Sequence, residues 1–595
     1  MADPPFMFYP ELPGIPPIPG IDPFWPIPPI PPIEAPPPIA PTKQVKDPKA
    51  KKFFLKPQSY SDPLMFRGAV RDSLAVKPII DGKEIFIELE KAIMNAEFSV
   101  LIAFWALTPE MKTVTDSSLT WLDLLVKAAE RKVMVRVFLN DFDPGLQLAQ
   151  HANAWKAYVR MVNATASIPQ DTFQVVCSRH EAETADSVMK MVRPGLFDNL
   201  ADQINKETEA VRKAIFSFAP GLWDKMDFIV SDNTVAPKIK NANYPAWPAV
   251  HHQKIVIVDG KFAYTGGINI TDNYVDSQKH EKPELPWHDA FVKVEGSMAL
   301  KDFIRNYIGL WNQERVRAEA FLKNAYASLN LKITPLTRAT SDLTDTLIPA
   351  KLTSTTPPKI PSQIHRTISK KGADPTGIPS VVREDILEGY LQAISQAEDY
   401  IYIENQYFRE KSIGDAIIQR HSEVTDLQTI IVLPRVIEEF LNSKGDELSQ
   451  HGAALQFEIL DSMTKQIGSN LGLFTMVRKD NQLVYVHSKL FIIDDKFASI
   501  GSANSNPRSY RVDTELDFVW YEATIAEKLR TDLWNEMLGK PATIKRWKPS
   551  QFVAKWTQIA KKNISSSASM QKGFVIPFEN TNKGNKSLFD ISPFT

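Results

Sequence analysis

Two stretches decide the reading: HQKIVIVDGKFAYTGGIN at residues 252–269 and HSKLFIIDDKFASIGSAN at residues 487–504. Each runs His, one residue, Lys, four residues, Asp, six residues, Gly, a small residue, one residue, Asn. KIVIVD and KLFIID are buried-strand patterns, and alternate residues of a strand share a face, so each His points the same way as its Lys. Asp259-Gly260 and Asp494-Asp495 are turn material, and KFAYTGG and KFASIGS then return antiparallel. The return brings Gly267 and Asn269, or Ser502 and Asn504, beside the His and Lys. Small residues there let a phosphate approach the backbone closely. Asp259 and Asp494, at the turns, are expected to fix structure and to take no part in proton transfer.

Working outward, the two motifs sit in two copies of one pattern. IFIELEKAIMNAE runs into SVLIAFWAL in the first copy, and ILEGYLQAISQAE runs into DYIYIENQYF in the second. VMVRVFLND and TIIVLP follow as short buried strands. Helices alternating with apolar strands predict an α/β fold, and the duplication predicts two similar α/β/α lobes related by a pseudo-two-fold. The first lobe is expected over 71–350 and the second over 363–562, joined by a linker at 351–362 that includes STTPPKIPS. The first lobe carries an insertion at about 181–250 that reads as mostly helical, with PGLFD and PGLWD inside it. It is read as scaffold, with a lid or membrane-contacting surface as the alternative. Residues 1–42 are a proline-rich, low-complexity segment, 43–70 a linker and 563–595 a Ser- and Asn-rich tail.

The chemistry follows from the assembled set. Two lysines, Lys254 and Lys489, and two asparagines, Asn269 and Asn504, suit the charge that builds on a phosphodiester's non-bridging oxygens. One of His252 and His487 attacks phosphorus and the other protonates the leaving alcohol. Each His needs a partner to fix its tautomer. PWHDAFVKVEG offers Asp289 and RVDTELDFVW offers Glu515, each before an apolar strand. Glu404, Asn405 and Gln406 end a strand at the site's rim, as substrate contacts or as a network holding the strand end. Arg508 and Arg511 could pair with phosphate or with local carboxylates. His251 falls on the other face of its strand and is read as structural. His280 and His288 carry no companions at zinc spacing, and the phosphohistidine route needs no metal, so no metal or cofactor is expected.

Composition narrows the partners. The chain has 595 residues, 43% hydrophobic and 23% charged, with a formal net charge of -1. Generic attraction to nucleic acid is not expected from that balance. Cys177, the one cysteine, lies in FQVVCS and reads as core. No stretch is long and apolar enough to span a bilayer, and the N-terminus lacks the charged and apolar regions of a signal peptide. The expectation is synthesis and residence in the cytoplasm, or export by a route that reads no cleavable signal. The Pro-rich head is either a stiff spacer or, given Phe6, Phe8, Tyr9, Phe24 and Trp25, a docking segment for a secretion, adaptor or immunity protein.

The doubled motif resembles the phospholipase D superfamily over most of residues 75–550. YIYIENQYF, IHRTIS, NPRSYRVDTE and WHDAFVKVEG are similar to phospholipases D in the stricter sense. The resemblance implies a bilobal α/β/α/β/α sandwich with the active site at the lobe interface, and cleavage of the phosphodiester distal to the diacylglycerol of a phospholipid, giving phosphatidic acid and a free head group at a membrane surface. Transfer to other alcohols is implied as well. It also implies His252 as nucleophile and His487 as acid, although pseudo-symmetry leaves the order open. Gly267 departs from the family's usual Ser, a loss expected to matter little because Ser502 retains the hydroxyl. No PX, PH or C2 modules and no N-terminal membrane helices are read, so the chain looks more like a bacterial enzyme and would suit the class of type VI secretion effectors. The competing readings are a nuclease or nucleic-acid phosphodiesterase of the same superfamily, disfavoured by the doubled motif, by Asp259 and Asp494, which tyrosyl-DNA phosphodiesterases lack, and by the near-neutral charge, and a non-catalytic membrane-binding protein.

Overall fold

A computed structural model describes residues 48–585 apart from 59–65, 193–194, 232–233, 240–243, 283, 297, 330–339, 349–359, 374–375, 437–446, 542 and 566–570. The Pro-rich segment, much of the inter-lobe linker and the end of the tail lie outside the described residues.

The apolar runs form two main sheets. In the first, seven strands stand in the order Ala75–Ile80, Ala290–Glu295, Phe262–Gly266, Ile255–Val258, Ser99–Phe104, Met134–Asp141 and Phe173–Arg179. In the second, the strands Ile360–Lys370, Glu515–Tyr521, Phe497–Gly501, Leu490–Ile493, Tyr400–Glu404, Gln428–Val432 and Leu471–Val477 stand in the same relative order. The motif hairpin of each lobe lies at the same sheet position and pairs antiparallel to the strand after the first helix of its copy. The duplication read in sequence is therefore a duplication of topology.

Strand alternation sorts the core into layers. Val100, Ile102 and Phe104 pack outward with the helices Gly82–Met94 and Trp121–Glu130. Leu101 and Ala103 face inward, into a core that also takes Tyr400, Tyr402, Ile492 and Phe518 from the second sheet. The helices Met298–Ser328 and Ala523–Leu538 fill that shared core, and Asp385–Ile394 and Lys411–Glu423 cover the far face of the second sheet. The result is an α/β/α/β/α sandwich. Chain crossovers stitch the lobes: Trp287–His288 pairs parallel with Leu483–Val486, and Arg71–Ser73 pairs with Ile360–Lys370. Among the described residues no helix is long and apolar enough to cross a membrane.

The motif aspartates hold the strand entries. Both adopt positive φ at the hairpin turn, Asp259 at 55° and Asp494 at 56°. The Asp259 carboxylate accepts the N–H groups of Glu97, Phe98 and Ser99, and Asp494 accepts those of Glu398, Asp399 and Tyr400. Asp494→Ala strands three donors of which that of Tyr400 is buried, and is expected to cost about 3 kcal/mol. A lowered melting temperature of the second lobe, smaller for Asp494→Asn, is the check.

The insertion at 181–250 is helical at Asp186–Val192, Leu196–Lys206 and Glu209–Phe218. It also holds a hairpin, Met226–Ser231 with Thr234–Ile239, that a helical reading omits. Phe197, Leu222 and Trp223, from the Leu-aromatic pairs, are buried in its own small core. Cys177 is buried in the last strand of the first sheet.

Candidate active site

The site is assembled where the two hairpins meet the partner lobe's strand entries. The N–H of His252 donates to the carbonyl of Thr514 at 2.8 Å, and that of His487 to the carbonyl of His288 at 2.8 Å. Each of those carbonyls immediately precedes an acid in sequence. His252 Nδ1 lies 2.8 Å from Glu515 Oε1, and His487 Nδ1 lies 2.8 Å from Asp289 Oδ2. Each imidazole is thus oriented by an acid of the opposite lobe, with Nε2 left for chemistry. Both acids are fully buried, and burial pushes each up to about 7.

The lysines and asparagines complete the floor. Lys254 Nζ donates to the His252 carbonyl at 2.7 Å and lies 5.9 Å from the centre of the Trp105 ring. Lys489 Nζ donates to the His487 carbonyl and sits 3.1 Å from that imidazole's Nε2. Asn269 donates to the Tyr274 hydroxyl at 3.0 Å, and Asn504 is buried with its side-chain oxygen unpaired. Burial, reinforced by the lysines, holds both histidines well below the usual imidazole range. Both are therefore neutral before substrate arrives, and a bound phosphate supplies the charge that lets one of them take a proton.

Above this floor opens a cavity of about 630 Å³. His252, His487, Asn269 and Asn504 line it, with Trp105 and Tyr274 on the walls and Arg409 and Arg508 at its polar side. Its size is in the range of small-molecule pockets. Two histidines whose Nε2 atoms face one cavity, with two ammonium groups beside them, can exchange a phosphoryl group between an imidazole and an alcohol or water.

Two family models match the chain: "Phospholipase D" over residues 268–440 and "Cardiolipin synthase, PLD-like domain" over residues 390–537. Both models support membership of the phospholipase D superfamily. Phosphodiester chemistry is the activity that membership supports. Bovine phospholipase D2 is 24% identical over 73% of this chain and 48% of its own length. Phospholipase D1 of Schizosaccharomyces pombe is 24% identical over 79% of this chain and 34% of its own. The chain thus spans less than half the length of these relatives. The major cardiolipin synthase ClsA of Bacillus subtilis is 26% identical over 48% of each. Among solved structures, phosphatidylserine synthase of Haemophilus influenzae superposes with a TM-score of 0.47 at 13% identity, covering 87% of this chain and 100% of its own.

Within this superfamily site the remaining expected residues divide. Ser502 donates to Glu515 and so braces the acid behind His252. Gly267, its counterpart, has no room for a side chain: a Cβ there would lie 2.2 Å from Asp289 Oδ1. Ser pairs with Glu in one half and Gly with Asp in the other, so the glycine is a steric requirement of the first motif. Gly267→Ser is expected to displace Asp289 and lower kcat by about 10-fold or more, since misplacement by an ångström costs up to that order squared. Steady-state rates at unchanged melting temperature would show it.

Glu404 and Asn405 need correction as substrate contacts. Glu404 accepts from Tyr402 and Ser488 and meets His288 Nε2 at 3.0 Å, behind the site. Asn405 binds the backbone of Ala503, Ser505 and Tyr407 and holds the loop after the second motif. Gln406 does line the cavity, between Lys489 and the Tyr485 hydroxyl. Arg511 is paired with Glu384 and Glu410, whereas Arg508 lines the cavity and pairs with Asp513. His251 is buried against Phe138, His180 and Glu314.

Sequence reasoning missed Tyr274 and Trp105. Tyr274 stands 3.4 Å from His487 Nε2, and its ring, with that of Trp287, packs on that imidazole. Trp105 packs edge-on against His252. Its position at the end of a strand that enters the site was the available signal; Tyr274, on a short turn, offered none.

Proposed function

We propose that this protein is a phospholipase D, cleaving the distal phosphodiester of glycerophospholipids to phosphatidic acid and a free head group through a phosphohistidine, with transfer to other alcohols. The observation that carries the reading is the reciprocal pair of histidines, each held at Nδ1 by the other lobe's acid, at the floor of one cavity. The names of the bovine and fission-yeast relatives support the lipid substrate over a nucleic acid.

The steps follow from the geometry. His252 Nε2 attacks phosphorus while His487 gives its Nε2 proton to the departing head-group oxygen. Lys254, Lys489, Asn269 and Asn504 hold the non-bridging oxygens as charge builds on them. Water, or another alcohol, then loses its proton to His487 and attacks the phosphatidyl-His252, releasing phosphatidic acid or a new phosphodiester and restoring neutral His252. His252 is the nucleophile on this reading because it is the more accessible imidazole, at 12% exposed against 6% for His487. Tyr274 steadies the acid. Asp289 and Glu515 orient the rings and balance the imidazolium that forms on each in turn.

Mixed phospholipids plus ethanol, analysed by mass spectrometry, test the reading. Phosphatidic acid and phosphatidylethanol together are expected; unchanged lipids alongside cleavage of DNA or RNA would overturn it. The cardiolipin synthase relatives favour a second reading, transfer to a lipid alcohol as the main reaction. Phosphatidylglycerol as acceptor in the same assay separates the two by the ratio of cardiolipin to phosphatidic acid. The effector role and the partners expected of the Pro-rich head stay proposals, since that segment lies outside the described residues. Delivery of a tagged chain into a neighbouring cell, lost on deleting residues 1–42, would support them.

The pH dependence has a defined sign. Burial lowers Lys254 to about 7, with Lys489 adding to the push and Glu515 opposing it. A lowered ammonium pKa means the charge is present below about 7 and lost as pH rises through it. An anionic phosphate needs that charge, so kcat/KM is expected to fall on the alkaline side of about pH 7. Its acid limb, set by protonation of His252, lies below the usual imidazole range. The profile is bell-shaped, and Lys254→Arg, whose guanidinium stays charged, is expected to move the alkaline limb upward in whatever activity it retains.

A further inference from the structure

Behind Asp289, on the side away from the cavity, four ligand-bearing residues converge: Asp81, His280, His288 and Glu536, all buried, with one donor atom from each within 4.8 Å of the others. Asp81, His280 and His288 come from the first lobe, and Glu536 from the second lobe's helix Ala523–Leu538.

The orientation of the two imidazoles is the informative feature. His280 Nδ1 meets the Asp276 carboxylate at 2.7 Å, which turns Nε2 toward Glu536 Oε1 at 3.1 Å. His288 Nε2 meets the Glu404 carboxylate at 3.0 Å, which turns Nδ1 inward. Each ring thus spends one nitrogen on an outer carboxylate and aims the other at the same point. That carboxylate–histidine arrangement is how metal-binding imidazoles are fixed in tautomer and direction. At that point the hydrogen bonding is incomplete beyond the contact of His280 with Glu536. His288 Nδ1 lies 3.0 Å from Asp81 Oδ1 and 2.9 Å from Glu536 Oε1, yet makes a hydrogen bond to neither. Asp81 Oδ2 and Glu536 Oε2 are buried without a partner as well. Nitrogen and oxygen atoms this close together, three of them without a hydrogen bond, resemble a cation's ligand shell: bonds of about 2.0–2.1 Å in a tetrahedron set ligands about 3.3 Å apart.

Four carboxylates, those of Asp81, Asp276, Glu404 and Glu536, surround the two imidazoles. A dication bound there would give the unpaired Asp81 and Glu536 oxygens a partner.

We propose that Asp81, His280, His288 and Glu536 form a structural metal site for a divalent first-row transition ion, Zn²⁺ in the first instance. Two imidazole nitrogens and two carboxylate oxygens, buried from solvent, match a closed four-coordinate zinc set. Zinc spacing was absent from the sequence because the ligands come from positions 81, 280, 288 and 536 and meet only across the lobe interface. The ion clamps the two lobes. It also buttresses the catalytic floor, because the His288 carbonyl holds the His487 N–H and the Asp81 N–H donates to the Asp289 carbonyl at 2.8 Å. The clamp takes no part in the chemistry at phosphorus, so it stands or falls separately from the phospholipase reading.

The test is the metal content of the full chain, purified without an immobilised-metal step and dialysed against metal-free buffer, read by inductively coupled plasma mass spectrometry. About one equivalent of zinc per chain is expected. Prolonged chelation should remove it and lower the melting temperature, and added Zn²⁺ should restore both. Glu536→Gln and His280→Gln should each retain less than a tenth of the ion and lose the chelator's effect on melting. Should either variant misfold, the wild-type stoichiometry decides alone. A wild-type chain that holds under about 0.1 equivalent after expression in zinc-supplemented medium, and whose melting temperature Zn²⁺, Mn²⁺ and Co²⁺ leave unchanged, would overturn the site. Full zinc content with no lipid turnover would leave the site standing and sink the phospholipase reading.

Discussion

Replacing either His252 or His487 by alanine is expected to abolish phospholipid turnover, and the two variants are expected to fail differently. General acid–base catalysis contributes about 10²–10⁴-fold, and loss of a nucleophile costs more, so each single variant falls below detection with a natural head group. A p-nitrophenyl phosphodiester separates the roles, because its leaving group needs no proton. His487→Ala should release one equivalent of nitrophenol in a burst and then stall, since no base remains to activate water. His252→Ala should show no burst. Glu515 lies 2.8 Å from His252 and Asp289 lies 2.8 Å from His487, so neither acid is placed to replace the imidazole it orients. Substantial turnover of phospholipid by either variant would break the two-histidine mechanism.

The second large effect is expected at Lys489. Its ammonium sits 3.1 Å from His487 Nε2, the atom that on the proposed mechanism protonates the departing oxygen. Removing one fixed positive donor to a transition-state oxyanion costs about 10²–10³-fold in kcat. Lys489→Met keeps the length and the burial and removes only the charge. It should lower kcat by that factor with a smaller change in KM, because the charge acts chiefly on the transition state. Equal loss in KM with kcat preserved would show that Lys489 only binds ground-state phosphate.

Much of this site was legible because its signals are local. The His–Lys spacing, the turn at Asp259 and at Asp494, and the acids before the next strand all follow from strand period and turn chemistry within a few tens of residues. The layer order followed as well, since the same helix–strand succession occurs twice. What the sequence left open was relational. Glu404 and Asn405 stand at a strand end as the sequence implied, but which way each turns is set by His288 and by Ser505, more than 90 residues away. The hairpin Met226–Ser231 with Thr234–Ile239 was submerged in a helical stretch, although SDNT between β-branched runs is turn chemistry. In WHDAFVKVEG the apolar strand after Asp289 was legible, whereas the pairing of Trp287–His288 with the second lobe's sheet, which leaves Asp289 at the junction where it reaches His487, was not.

The central claim is the covalent phosphohistidine. It is tested most directly by quenching the enzyme in acid-free denaturant during turnover of a phospholipid and mapping its peptides by mass spectrometry. A phosphatidyl group on the His252 peptide is predicted in the wild-type enzyme and is predicted absent from His252→Ala; in His487→Ala the adduct on His252 should accumulate only from the p-nitrophenyl phosphodiester. An adduct on His487 would reverse the two roles, and active enzyme with no adduct on either histidine would contradict the covalent route.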